Sequence, residues 1–218
     1  MLVKYFIVKL KLFFFKRIWR KMNEHNYTTA SNVFDVSLVS VGNFTYGALE
    51  IIDFKEMNAK VEIGNFCSIA KGVKFLMGGE HDYKKISTYP FKRFLSEEFV
   101  GIESFSRGPI VIEDDVWIGR DVLILSGVTV RQGAIIGAGS VVRESVPPYS
   151  IFVGNKVIKK RFSDDVCKKL ECIDWSTINE KDVLENLDSL YEFSENKINE
   201  NSFYQFFSNK NLKKDEEI

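Results

Sequence analysis

A ladder of branched apolar residues at a fixed spacing of six runs through the second half of this chain. Ile112, Ile118, Ile124, Val130, Ile136 and Val142 fall in strict register. A second column sits two residues ahead of the rungs, at Val116, Val122, Val128, Ala134 and Ser140. Neither the 3.6-residue period of a helix nor the two-residue period of a strand produces this pattern. A period of six is the mark of a parallel β-helix, in which each hexapeptide forms one short face of a triangular coil. The rung points inward and stacks on its neighbours, and the residue two before it is small enough for a corner. Glycine after a rung, at Gly119 and Gly137, suits a corner needing positive φ or close backbone approach. One coil cannot bury its own face, so several must stack.

The ladder also exists upstream, at Ile51, Met57, Ile63, Ile69 and Phe75, with Leu49, Lys55, Val61, Cys67 and Val73 ahead of it. Lys55 is the one poor fit. Phe75 and Ile112 are 37 residues apart, six repeats plus one, so the phase slips between them. The stretch from Leu76 to Pro109 lacks the period and reads as a long loop leaving the coil. Loops of that length in a compact domain are usually functional or disordered. The expected organisation is an N-terminal extension over residues 1–40, a β-helix domain over 41–160 with an inserted loop at 76–109, and a helical region over 161–218. In that last region Val166, Leu170 and Ile173, then Leu184, Leu187, Leu190 and Tyr191, keep a loose helical spacing. Two or three helices are expected there, followed by a solvated tail from Lys210 to Glu217.

Composition narrows the chemistry. The formal net charge is zero, which gives no support to nucleic-acid binding. The three cysteines have no disulfide or metal spacing, Cys67 falls in the small column as a core thiol, and reduced thiols fit a cytoplasmic location. Two histidines, His25 and His81, cannot supply the three zinc ligands of a hexapeptide-type carbonic anhydrase from one subunit, and no metal site is expected. Before Glu24 there are seven basic residues, no acidic one, and the large apolar residues Phe6, Leu10, Phe13, Phe14, Ile18 and Trp19. No apolar run approaches the roughly 20 residues that span a bilayer, and no small-residue cleavage site marks a signal peptide. Such a segment either lies on an anionic membrane surface or packs as a helix on the coil or on a neighbouring subunit.

His81 lies in the inserted loop, in Met77-Gly78-Gly79-Glu80-His81-Asp82-Tyr83, and Ser87-Thr88-Tyr89-Pro90-Phe91 follows. A histidine, a short spacer and Ser-Thr-Tyr-Pro-Phe resemble the xenobiotic acetyltransferases, which include the chloramphenicol and streptogramin acetyltransferases of the hexapeptide class. The resemblance continues in Asp115-Val116-Trp117-Ile118-Gly119, Ser126-Gly127-Val128, Gly137-Ala138-Gly139-Ser140-Val141-Val142 and Val146-Pro147-Pro148-Tyr149-Ser150, and covers about residues 41–162. It implies an all-β core made of a left-handed parallel β-helix, a homotrimer with active sites between subunits, and acetyl-CoA as donor. His81 matches the general base that takes the proton of an acceptor hydroxyl as its oxygen attacks the thioester, a task suited to an imidazole at neutral pH. No acyl-enzyme is needed, so Cys67 need not be a nucleophile.

The same resemblance gives the other site residues. Ser126, Gly137, Ala138 and Gly139 are candidates for the pantetheine arm, although the glycines also suit plain corners. Arg143, Asn155, Lys156 and Lys159 are candidates near the nucleotide end, or simply part of a solvated charged face. Relatives read more like Gly-Asn-Pro-Ala-Lys where this chain has Gly154-Asn155-Lys156-Val157-Ile158-Lys159. Ser87 and Tyr89 come with the loop motif on the acceptor side. Tyr46 matches a position near the acceptor or is a buried corner residue, and Trp117 lines the acceptor cleft or caps a coil edge. For the acceptor, a sugar hydroxyl of a surface polysaccharide or its precursor leads, because residues 25–29 and 39–42 resemble relatives from capsule and O-antigen clusters. The basic N-terminus would then place the enzyme at the inner membrane surface. Antibiotic O-acetylation and a non-catalytic trimeric scaffold are the alternatives.

Overall fold

The computed structural model describes residues 2–215 and the side chains of residues 5–208. Helix α1 (Leu2–Met22) leads into β1 (Tyr27–Ala30), β2 (Val39–Val41), β3 (Tyr46–Ile52), β4 (Val61–Ile63), β5 (Ser68–Ile69) and β6 (Lys74–Leu76). A long excursion carrying α2 (Phe91–Leu95) follows. The coil then resumes with β7 (Ile110–Ile112), β8 (Trp117–Ile118), β9 (Leu123–Leu125), β10 (Thr129–Val130), β11 (Ile135–Ile136), β12 (Val141–Val142) and β13 (Ser150–Val153).

The strands stack in three parallel ladders, one per face of the coil. Face one runs from the start of β3 through β5, β8 and β11 to β13. Face two runs from the end of β3 through β6 and β9 to β12. Face three runs β2, β4, β7, β10 and ends on a bridge to Val146. The rungs pair in columns: Ile69, Ile118, Ile136 and Phe152; Ile51, Phe75, Ile124 and Val142; Val41, Ile63, Ile112 and Val130. All are buried and form one core. Because each rung packs between the rungs above and below, truncating one opens a cavity inside a rigid stack. Ile124→Ala is expected to destabilise the chain by about 2–5 kcal/mol, measured as a lowered urea midpoint with unchanged slope.

The corners share one conformation. Three residues after each rung of face three the backbone is left-handed, at Phe44, Phe66, Asp115, Gly133 and Tyr149, with φ between 50° and 67°. The glycines directly after the rungs serve the other purpose, close approach. A Cβ on Gly119 would sit 2.6 Å from the amide nitrogen of Ala138 in the next coil.

Met57 departs from its expected rung position: it is 88% exposed. Ile51 is the first rung of face two and Ile63 belongs to face three, so residues 53–60 form a short insertion at the corner between those faces. The loop of residues 77–109 leaves from that same corner one coil further on. The two insertions touch: Oε1 of Glu56 accepts hydrogen bonds from the Gly79 amide at 3.0 Å and the Ser104 hydroxyl at 2.6 Å.

The parallel stack begins earlier than the expected boundary at residue 41, because β1 pairs with β3 from Tyr27 to Ala30. Trp19 and Phe15 of α1 pack on Phe34, and the indole of Trp19 donates to Thr28 Oγ1 at 3.0 Å. At the other end β14 (Lys156–Lys160) folds back antiparallel on β13. Helices α3 (Asp164–Glu171), α4 (Glu180–Glu185), α5 (Leu187–Tyr191) and α6 (Ser202–Asp215) follow, around a separate core of Ile173, Ile178, Phe203 and Phe207. Leu184, Leu187 and Tyr191, whose spacing suggested a packed face, are exposed. Helix α6 extends into the expected tail, whose last residues, from 216, lie outside the described residues.

Candidate active site

The loop of residues 77–109 begins on a seat that leaves no room for side chains. Gly78 lies against the carboxylate of Glu56, and Gly79 has φ +93° with the Phe54 ring where a Cβ would be. The two strands of its stem then meet, with mutual backbone hydrogen bonds between Glu80 and Phe105 at 3.2 and 2.9 Å. Below the stem, the Ser126 hydroxyl donates to Glu80 Oε1 at 2.8 Å and accepts from the Arg107 amide at 3.0 Å. The Arg107 guanidinium lies 3.5 Å from the same Glu80 oxygen. One serine of the coil thus ties both strands of the stem down.

His81 follows directly, exposed, with Nδ1 2.6 Å from the carbonyl oxygen of Thr88. A carbonyl oxygen only accepts, so in the neutral ring Nδ1 carries the hydrogen and Nε2 the lone pair. The Ser-Thr-Tyr-Pro-Phe segment builds this arrangement. The Ser87 hydroxyl accepts from the Tyr89 amide at 3.1 Å, which turns the chain at Thr88. Tyr89 packs on Phe91 and Phe94 with ring centroids 4.8 and 5.7 Å away. His81, Ser87 and Tyr89 line one recess with Asp82, Lys85 and Glu103. A wider one beside it adds Tyr83, Lys84, Phe105 and Arg107.

Other expected site residues lie elsewhere. Tyr46 and Trp117 are exposed on face one, where Tyr46 pairs with Ser68 and Ser68 with Trp117 in one outward column. Tyr46 is therefore not a buried corner residue. Both are on a different face from the corner where the loop leaves. Ala138 and Gly139 are exposed at the corner after β11, next to Gly137. The turn at Gly154 joins that corner, its amide donating to Ser140 Oγ at 3.0 Å, and this brings Asn155 and Lys156 alongside. Lys159 is exposed on β14, and Arg143 is exposed after β12. Ser126 departs from its expected role. It is only 2% exposed and its hydroxyl is committed to Glu80 and Arg107, so it braces the loop. Sequence reasoning missed Glu56, which holds the loop at Gly79 and Ser104, and the Glu80–Arg107 pair across its stem, since only folding brings these partners together.

Burial pushes the Cys67 thiol up to about 12, against smaller opposing hydrogen bonds from the Val116 backbone and Thr45. It stays protonated at neutral pH and is no nucleophile. Iodoacetamide under native conditions is expected to label the exposed Cys172 and leave Cys67 unmodified, as peptide mass mapping would read directly. Labelled Cys67 would contradict its burial.

The model of the bacterial transferase hexapeptide (six repeats) matches residues 109–144. A probable macrolide acetyltransferase of Lysinibacillus sphaericus is 45% identical over 138 residues, 60% of this chain and 77% of that protein. The chain belongs to the hexapeptide-repeat acetyltransferases. A chloramphenicol acetyltransferase of Agrobacterium fabrum is 40% identical over 53% of this acetyltransferase, which spans only 59% of that relative's length. The crystal structure of a hexapeptide-repeat acetyltransferase from Vibrio cholerae shares the fold, with a TM-score of 0.50 at 23% identity, covering 67% of this chain and 79% of that one. Membership in this family makes the chain an acyltransferase rather than an inert scaffold.

Proposed function

We propose that this chain is an acetyl-CoA-dependent O-acetyltransferase that works as a trimer of left-handed β-helices and acetylates a sugar hydroxyl of a surface polysaccharide or its precursor. The observation that carries the reading is the hydrogen bond from His81 Nδ1 to Thr88, which leaves Nε2 of the exposed, neutral ring as the proton acceptor. In the reaction, Nε2 takes the proton of the acceptor hydroxyl while its oxygen attacks the thioester carbonyl. The tetrahedral intermediate then collapses, the C–S bond breaks, and the imidazolium returns the proton to the departing coenzyme thiolate. Ala138, Gly139, Asn155 and Lys156 form the exposed corner proposed to take the coenzyme, with Arg143 and Lys159 near its phosphates. The separation of Tyr46 and Trp117 from His81 within one chain supports a site completed by a second copy. So do the loop's exposed apolar side chains Ile86, Phe94, Leu95 and Val100.

The two adjoining recesses support a sugar acceptor by their composition. Asp82, Lys85, Glu103 and Arg107 supply charged hydrogen-bonding groups, while Tyr83 and Tyr89 supply flat faces. Such a lining suits a polyhydroxylated molecule better than an apolar drug. Peripheral contact with the inner membrane surface, through α1, would bring the enzyme to lipid-linked glycans. Antibiotic O-acetylation is the second reading, favoured by the names of the macrolide and chloramphenicol relatives. Coenzyme thiol release, measured with sugars, nucleotide sugars, oligosaccharides and chloramphenicol as acceptors, separates the two. Turnover with a glycan and none with the drug is expected; turnover with chloramphenicol alone would reverse the assignment.

A further inference from the structure

We propose that α1 is an in-plane anchor whose outward face binds an anionic phospholipid surface. The inference deepens the membrane part of the reading above, on which it rests, and does not depend on the acetyl-transfer part. Among the described residues α1 meets the fold through Leu12, Phe15, Trp19 and Arg20, continued by Asn23 just past its end. Arg20 donates to the Thr28 carbonyl at 3.0 Å. Tyr5 and Val8, on the same side in the earlier turns, are exposed. The opposite side carries Phe6, Leu10 and Phe14 in successive turns, flanked by Ile7, Phe13 and Ile18. All six are exposed, Phe6 at 68%. Nothing in the described fold covers them.

Charge selects the occupant. Lys9 and Lys16 border this face on one side and Lys11 on the other, while Arg17 and Lys21 enter it in the last turns. No acidic residue precedes Glu24. A second copy laid on this face would bring cation against cation, whereas anionic headgroups neutralise the cations and acyl chains take the apolar side chains. Arg17 already lies with its guanidinium carbon 4.4 Å from the Phe13 ring centroid, a posture in which the stem stays apolar and the head reaches the headgroups. No helix among the described residues is long and apolar enough to cross a membrane, so the contact lies in the interface plane.

The test is co-sedimentation of the full chain with vesicles of phosphatidylethanolamine and phosphatidylglycerol, against vesicles of phosphatidylcholine alone. Acetyl-CoA binding is read on the same preparation. Binding to the anionic vesicles should be stronger by about tenfold or more, and should weaken with added salt. The F6S/L10S/F14S variant should lose it while still binding acetyl-CoA, which shows that the variant is folded. Equal binding to both vesicles, or binding to neither, would overturn the proposal. So would a triple variant that keeps its vesicle binding but changes oligomeric state, since a second copy would then cover the face. Vesicle binding without coenzyme binding would leave the anchor standing and remove the acetyl-transfer reading; the reverse result would do the opposite.

Discussion

His81→Ala is expected to lower kcat for acetyl transfer by about 10²–10⁴-fold, the range for loss of a positioned general base, while acetyl-CoA still binds and the oligomer persists. The reason is geometric. His81 is exposed on a loop, is held through Nδ1 by the Thr88 carbonyl, and contributes nothing to the buried rung columns. Its removal therefore costs the fold little and the proton transfer a great deal. Asparagine at this position could still donate to the Thr88 carbonyl but cannot accept a proton at neutral pH, so His81→Asn should be as inactive as the alanine variant. Steady-state kinetics with coenzyme thiol release, run beside sizing and coenzyme binding, would read all of this. Near-normal turnover in either variant would remove His81 from the chemistry.

Glu80→Ala is expected to cost about ten- to a hundredfold in kcat, because small displacements of a catalytic group are expensive, with a much smaller change in KM for acetyl-CoA. Glu80 touches no proposed reactant. It is a positioning residue, tied to Ser126 by a 2.8 Å hydrogen bond and paired with Arg107, and it directly precedes His81 in the chain. Alanine frees the Ser126 hydroxyl and the Arg107 guanidinium together and loosens the loop stem. Glu80→Gln keeps an oxygen for the Ser126 hydroxyl, giving up the charge and turning the second, buried oxygen into an NH2, so it should recover part of kcat. A purely structural role would lower stability in both variants without this ordering of kcat. The stability change itself should be about 1–3 kcal/mol for the alanine variant, the usual cost of unpairing a charged hydrogen bond.

The ladder was legible because rung burial enforces its period: each of the columns ending at Phe152, Val142 and Val130 is apolar throughout. The one failure, Met57, has a simple cause. The insertion at residues 53–60 lengthens the step from Ile51 to Ile63 to two repeats, so it preserves the six-residue phase and hides as a rung. The left-handed corners were invisible for a different reason. After the rungs of face three, four of the five are filled by Phe44, Phe66, Asp115 and Tyr149 and only Gly133 is a glycine, so the stack imposes their conformation. In the loop, the motif from Ser87 to Phe91 pointed to His81, but not to its mechanism. That mechanism depends on a backbone carbonyl, which no residue type announces. Glu56 reaches Gly79 and Ser104 because two insertions leave one corner a coil apart, and Glu80 pairs with Arg107 across the loop stem; both are proximities of the folded chain and not of sequence.

Whether the loop holds His81 as a base through Nε2 can be read directly from the tautomers of the chain's two histidines. Nitrogen-15 NMR of protein labelled at histidine, assigned with the His81→Ala variant, should show neutral His81 protonated at Nδ1 and bare at Nε2. His25, whose Nε2 lies 2.8 Å from the Val41 carbonyl, closer than the Asn26 amide nitrogen at 3.2 Å, should show the opposite tautomer. A neutral His81 carrying its proton on Nε2 would contradict the account, because the nitrogen left to accept a proton would then face the carbonyl of Thr88.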